Sequence, residues 1–293
     1  MTEPTAIERV DLVLPHGVTL ACRRAGQGSA RVMLLHGFPE AAFVWDAVMQ
    51  RLAPLATCWA PNLRGYPGSS APVEIAAYRA KHLVADVAAA IAAVGAPLDL
   101  LVAHDWGGAL AWNLAAQRPD LMRHLLIINS PHPATFLREL LHNPAQQAAS
   151  AYMNFLCRPD AEALLSERGH ARMWPFLGQP AWLTDAVRAQ YSAAWAAGLT
   201  GPLNYYRASP LRPPLGPGDP LHTLHLADDL VRVSVPTTVL WGEQDRALLP
   251  SLLDGLERWV PSLRVQRVAD ASHWIVHEQP EQVAATIAAL LPR

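Results

Sequence analysis

The run Leu98-Asp99-Leu100-Leu101-Val102-Ala103 feeds directly into His104-Asp105-Trp106-Gly107-Gly108, and that into Ala109-Leu110-Ala111-Trp112-Asn113-Leu114-Ala115-Ala116. The first segment is short and apolar, as a buried strand is, and the last has the pattern of a helix. Between them, Asp105 is flanked at two residues' distance by Ala103 and Gly107. A nucleophile set between small residues on a strand-to-helix turn is the nucleophile-elbow pattern. Small residues are needed because the tight turn brings strand, helix and neighbouring backbone together. The plainer reading makes Asp105 the N-cap of the helix, a role aspartate fills well. Three other segments of the chain decide between them.

Other short apolar runs alternate with Ala-rich helical stretches. The pairs Val10–Leu14 and Thr19–Arg23 form an opening hairpin around Pro15-His16-Gly17. Arg31–Leu35, Thr57–Pro61, His124–Asn129, Thr237–Trp241 and Arg264–Val268 read as further strands. His82–Val94 and Gln282–Leu291 read as helices. Such alternation implies an α/β fold with a mostly parallel sheet covered on both faces. It stops after Ser130. From there to about Leu230 there is no clear strand, and Pro210–Pro220 is too rich in proline for helix or strand. The helical pieces around it, Ala145–Leu156 and Asp185–Ala197, predict a helical cap at 131–230 inserted into a core of 1–130 and 231–293.

A carboxylate on the elbow limits the chemistry. Attack on an acyl carbon gives an anhydride that reverts, whereas attack on a saturated carbon gives a stable alkyl ester. The elbow therefore points to opening an epoxide or displacing a halide. Water must then be activated to release the ester, which suits a histidine. Of twelve histidines, His273 in Ala271-Ser272-His273-Trp274 lies on the loop after the last strand, where such sheets place their ligands. The order nucleophile, acid, histidine then asks for an acid on an earlier loop. Asp245 in Trp241-Gly242-Glu243-Gln244-Asp245 fits, with Glu243 as its competitor. The alternative position, after the preceding strand, holds the uncharged Asn129. Charge developing on the ester oxygen requires fixed donors, and the backbone N–H groups of Phe38 (in His36-Gly37-Phe38-Pro39-Glu40) and Trp106 are the natural oxyanion pair. Trp106, Phe38 and Pro39 are also the expected substrate contacts, and His36 reads as structural.

Together, His36–Glu40, Arg64-Gly65-Tyr66, His104–Gly108, Trp241–Asp245 and Ser272-His273-Trp274 resemble the α/β-hydrolase family and, within it, the epoxide hydrolases. The resemblance covers nearly the whole chain and is weakest in the cap. It implies an α/β-hydrolase fold, a covalent Asp105 ester and a triad of Asp105, Asp245 and His273. Pro67, which interrupts the commoner spacing after Gly65-Tyr66, departs from the pattern in a loop. An epoxide oxygen also needs a proton as it leaves, and tyrosine can donate one while neutral at pH 7, its reference pKa being about 10. Leu203-Asn204-Tyr205-Tyr206-Arg207 resembles the family's asparagine-aromatic-tyrosine-arginine motif and implies Tyr206 as acid. A second tyrosine would come from an earlier cap helix, where Tyr152 is the candidate and Tyr191 its competitor. The register is open by one residue, which turns a helical side chain by about 100°.

The alternative within the same chemistry is a haloalkane or haloacid dehalogenase. It would need halide donors beyond the Trp106 indole, and Phe38 replaces the usual asparagine. A cap tryptophan (Trp174, Trp182 or Trp195) could substitute. Haloacid dehalogenation is further disfavoured, since Trp106 and Ala109 replace the expected arginines. A silent, ligand-binding hydrolase fold is the alternative outside enzymology.

The formal charge of −2 excludes a basic nucleic-acid-binding stripe. No apolar run reaches membrane-spanning length, and Met1–Arg9 carries acids without the apolar core of a secretory leader. The expectation is a soluble, cytoplasmic protein acting on a small apolar epoxide and water. Cys22, Cys58 and Cys157 lack metal-like spacing and read as ordinary buried thiols. No cofactor or metal is implied, since His222 and His225 lack a third convergent ligand. Oligomeric state stays open, a homodimer included.

Overall fold

Short apolar runs become buried strands because their residues alternate between two helix-covered faces of one sheet. The structure is a computed structural model, and it describes residues 6–292. Met1–Thr5, part of the stretch read above for a leader, lie outside the described residues. The strands are β1 (Glu8–Val13), β2 (Thr19–Ala25), β3 (Ala30–Leu35), β4 (Ala56–Pro61), β5 (Leu100–His104), β6 (Leu125–Ile128), β7 (Thr237–Gly242) and β8 (Leu263–Val268). They form one eight-stranded sheet in the order β1-β2-β4-β3-β5-β6-β7-β8. The β1–β2 hairpin joins β4 antiparallel, and from β4 onward every pair is parallel. Every residue of β5, β6 and β7 is buried. The edge strand β8 carries exposed Arg264 and Arg267, charges that discourage further pairing.

Helices cover both faces. On one lie α1 (Asp46–Leu52) and, from the end of the chain, a helix at Pro280–Leu290, which send Val48, Met49, Leu52, Val283 and Ile287 into a shared core. On the other lie α2 (Ala80–Val94) and α3 (Asp105–Gln117), whose core runs on into the helical insertion. That insertion, between β6 and β7, holds α4 (Pro133–His142), α5 (Pro144–Ala149), α6 (Tyr152–Leu156), α7 (Ala161–His170), α8 (Trp174–Leu177), α9 (Asp185–Ala196), α10 (Thr200–Ala208) and α11 (Asp228–Val231). The short α12 (Ile275–Glu278) then precedes the last helix, α13 (Pro280–Leu290).

Two expectations need correcting. The stretch 145–156 is two helices rather than one. The Asn143 side chain caps α5, Pro144 fills its first turn, and the chain breaks at Ser150 before α6 begins. Of the three cysteines, Cys22 and Cys58 are buried but Cys157 is only partly so, and all three are free. Residues 209–219 form neither helix nor strand, as their prolines dictate. No described helix is long and apolar enough to cross a membrane.

Candidate active site

Strand-end loops build the site. Asp105 starts α3 directly after β5 with a φ of 49°, a strained backbone for a residue other than glycine. Its neighbours make room: a Cβ on Gly37 would overlap the Asp105 carboxylate, and one on Gly108 would overlap Ser130. Ser130 Oγ donates to the Asp105 carbonyl at 2.7 Å, and the Gly107 N–H donates to the His36 carbonyl at 3.0 Å, pinning both sides of the elbow. The Asp105 side chain does not cap its own helix. It reaches across to the β3 loop, where the Phe38 N–H donates to Oδ1 at 2.7 Å. The Trp106 N–H, the expected second donor, is not among the donors to that carboxylate. The positive end of α3 still favours a negative charge at this place.

Asp245, on the loop after β7, holds the imidazole of His273. Nδ1 of His273 lies 2.6 Å from Asp245 Oδ2, and Nε2 lies 3.7 Å from Asp105 Oδ2. The other Asp245 oxygen accepts from the Ala247 and Leu248 N–H groups at 2.8 and 2.9 Å. Glu243, the competing acid, points outward to Arg267. Asn129, read above only as a residue unable to supply charge, donates to Asp245 Oδ2 at 2.8 Å and accepts from the Gly242 N–H at 2.8 Å. It thus ties the ends of β6 and β7 together under the acid. Burial alone would raise the Asp245 carboxyl, but the charge and hydrogen bond of His273 and the Leu248 and Asn129 donors hold it below its ordinary value. Burial alone would lower His273. The charge and hydrogen bond of Asp245, with the charges of Asp105 and Glu40, outweigh it and raise the imidazole to about 9.

A second cluster behind His273 has little signature in the sequence. Glu40, fully buried, meets His104 Nδ1 at 3.1 Å, the Tyr191 hydroxyl at 2.9 Å and His277 Nε2 at 3.2 Å. His104 Nε2 in turn lies 2.9 Å from the backbone oxygen of His273. Burial would raise the Glu40 carboxyl, and the His104 and His277 contacts outweigh it and hold it well below the usual carboxylate range. Only the position of Glu40 at the end of the His36–Glu40 turn and of His104 beside Asp105 could have pointed to it. His36 is structural, accepting from the Leu63 N–H at 3.1 Å.

Two cavities meet at Asp105. One, of about 300 Å³, is lined mainly by apolar groups, among them Trp106, Leu110, Phe136, Met153, Leu226 and Leu248. The other, of about 550 Å³, includes Phe38, Pro39 and His273 and ends among Gln179, Gln244, Arg246, Ser272 and Glu278. Tyr152 and Tyr206 line both. Burial, followed by nearby negative charge, raises both phenols, so each stays protonated at neutral pH. Tyr206 packs edge-on against Trp106 at 5.0 Å and Phe38 at 5.2 Å. Tyr191 lies apart, committed to Glu40 and His277. Tyr205 donates to the Arg64 carbonyl. None of Trp174, Trp182 and Trp195 lines either cavity; Trp195 donates instead to the Pro39 carbonyl at 2.8 Å.

A family profile described as the alpha/beta hydrolase fold matches residues 30–280. The chain is 33% identical over 283 residues to the AB hydrolase superfamily protein YfhM of Bacillus subtilis, covering 93% of this chain and 94% of that protein. It is 32% identical over 270 residues to epoxide hydrolase 3 of Xenopus tropicalis, covering 86% of this chain and 68% of that one. A crystal structure of a Bacillus megaterium epoxide hydrolase in complex with an inhibitor superposes with a TM-score of 0.88 at 30% identity, over 96% of this chain and 99% of that one.

Proposed function

The chain belongs to the alpha/beta hydrolase superfamily, and from that premise we propose that it is an epoxide hydrolase forming vicinal diols through an Asp105 ester. The observation that carries this reading is the convergence of Asp105 and the two neutral phenols of Tyr152 and Tyr206 on both cavities, with His273 lining the second of them beside Asp105. Relatives named as epoxide hydrolases, one of them solved with an inhibitor bound, support it.

In the first step an Asp105 oxygen attacks one epoxide carbon and its C–O bond breaks. The freed oxygen takes a proton from Tyr206 or Tyr152, leaving a hydroxy ester and a phenolate. In the second step His273 Nε2 takes a proton from water, and the hydroxide adds to the ester carbonyl carbon. The Phe38 N–H, which already donates to Asp105 Oδ1, receives the resulting oxyanion, with the Trp106 N–H, not engaged with that carboxylate in the resting site, as the second donor. Collapse expels the diol alkoxide, which takes the proton from His273. The carboxylic acid left on Asp105 returns its proton to the phenolate, so the cycle consumes one epoxide and one water. Asp245 holds the imidazole in the right tautomer and balances its charge.

Epoxide is favoured over halide because two neutral phenols, those of Tyr152 and Tyr206, line both cavities beside Asp105, whereas no cap tryptophan lines either. A side-by-side assay of diol formation from styrene oxide and of bromide release from a bromoalkane tests this. Diol as the main product is the expected outcome. Bromide release without diol would turn the assignment to a dehalogenase, and neither product would leave a binding protein.

A further inference from the structure

The acid loop and the helix carrying Tyr152 are joined through one buried side chain. Gln146, on α5, has no exposed surface. Its Nε2 donates to the Ala247 carbonyl at 2.8 Å and to Ser150 Oγ at 2.8 Å, while its Oε1 accepts from the Leu249 N–H at 2.9 Å. The segment it grips on both sides, 247–249, is the one whose Ala247 and Leu248 N–H groups hold Asp245. The residue it touches on its own side, Ser150, marks the break between α5 and α6, and its carbonyl accepts from Met153 N–H at 3.0 Å in the first turn of α6. Tyr152 stands in that turn. Glu139 on α4 and Asn143 at the start of α5 add a parallel tie, Ser251 Oγ donating to the Glu139 carboxylate and accepting from the Asn143 amide.

We infer that Gln146 is a positioning residue that fixes the Asp245 loop and the Tyr152 helix in one geometry, so that ring opening and ester hydrolysis both depend on it. A buried primary amide suits this task, since it donates and accepts at once in a fixed plane. An apolar side chain of the same length would leave the Ala247 carbonyl and the Leu249 N–H buried and unpaired. The loop would then shift to find other partners, carrying Asp245 away from His273 and loosening α6. The half concerning Tyr152 rests on the epoxide-opening reading, and the half concerning Asp245 does not.

The test compares wild type with Gln146→Met, which removes all three hydrogen bonds, and with Gln146→Glu, which keeps the acceptor for Leu249. Three quantities are measured below the melting temperature of each variant: the NMR titration of the His273 imidazole, the single-turnover rate of ester formation, and that of ester hydrolysis. For Gln146→Met we expect a lower His273 titration midpoint and both rate constants reduced by about 10- to 100-fold, as small misplacements of reacting groups produce. Gln146→Glu is expected to lower both rates by a smaller factor, and it carries the test should Gln146→Met fail to fold. A variant with a reduced melting temperature but unchanged rates and midpoint makes Gln146 a packing residue and overturns the inference. Loss confined to one step overturns the coupling. Should wild type open no epoxide, the functional reading fails, and the His273 titration alone still decides whether Gln146 holds the acid loop.

Discussion

His273 stands between two carboxylates, with Nδ1 2.6 Å from Asp245 and Nε2 3.7 Å from Asp105. In the resting protein both charges favour the imidazolium, and the group is raised to about 9. An imidazolium cannot take a proton from water. In the proposed mechanism, ester formation at Asp105 would remove one of the two flanking charges, and with it part of the force that keeps His273 protonated, so that the base would be released when the second step requires it.

The pH dependence of the two states follows. The hydrolysis rate constant of the preformed ester is expected to rise with pH through a value lower than the titration midpoint of His273 in the free protein. Rapid-mixing measurements of ester decay across roughly pH 5 to 10, a span that brackets the histidine reference value, set beside an NMR titration, provide both numbers. Coincident values would mean that Asp105 does not control the base.

Folding stability depends on His273 with a definite sign. A folded-state pKa above the unfolded value makes its contribution complete below about 6.5. That contribution is lost as pH rises toward about 9. Urea unfolding of wild type and His273→Gln at several pH values is expected to show their stability difference shifting against wild type over this window. A difference independent of pH across it contradicts the raised imidazole.

Asn129 serves the acid without carrying charge. Asn129→Ala leaves the Gly242 N–H and Asp245 Oδ2 each short of a buried partner. A cost of about 2 to 3 kcal/mol in unfolding free energy is expected, since each buried polar group left unpaired costs on the order of 1 to 3 kcal/mol. Denaturant titration measures it. A change below about 0.5 kcal/mol, the scale of ordinary surface substitutions, would show that the stitch between β6 and β7 is dispensable.

Tyr206→Phe is expected to slow ester formation from an epoxide much more than from a bromoalkane. Bromide leaves without a proton, and a positioned acid contributes on the order of 10² to 10⁴ in rate. Tyr152 on the same cavities softens the single substitution, so the double Tyr152→Phe, Tyr206→Phe variant gives the full effect. Stopped-flow rates on both substrate types decide the matter. Equal losses on the two would reduce Tyr206 to a packing residue.

The strands were legible because each is a short apolar run bounded by turn residues, and the elbow because its glycines answer to specific close contacts with His36 and Ser130. The order of the sheet was not, since β4 inserts between β2 and β3 through long-range pairing that no local pattern encodes. The break at Ser150 was hidden for a related reason. Asn143 and Pro144 signal a helix start, but the end of α5 answers to Gln146 and the distant 247–249 loop. Loop order pointed to His273 and to the loop of the acid but left Glu243 beside Asp245 on that loop; the folded chain sets His273 between Asp245 and Asp105. Glu40, His104, Tyr191 and His277 come from four separate segments, so their shared cluster exists only in the folded chain. Asn129 was legible as a position and opaque as a role, because an amide near an acid acquires its meaning from the hydrogen bonds it makes.

Labelling tests the covalent route most directly. A single turnover in heavy-oxygen water, with enzyme in excess over epoxide, is followed by mass analysis of the diol and of the peptide containing Asp105. Attack by Asp105 predicts an unlabelled diol and one heavy oxygen in the Asp105 carboxylate, because water adds to the ester carbonyl carbon. Heavy oxygen in the diol on that first turnover, with Asp105 unlabelled, would mean that water attacks the epoxide itself and that Asp105 is no nucleophile.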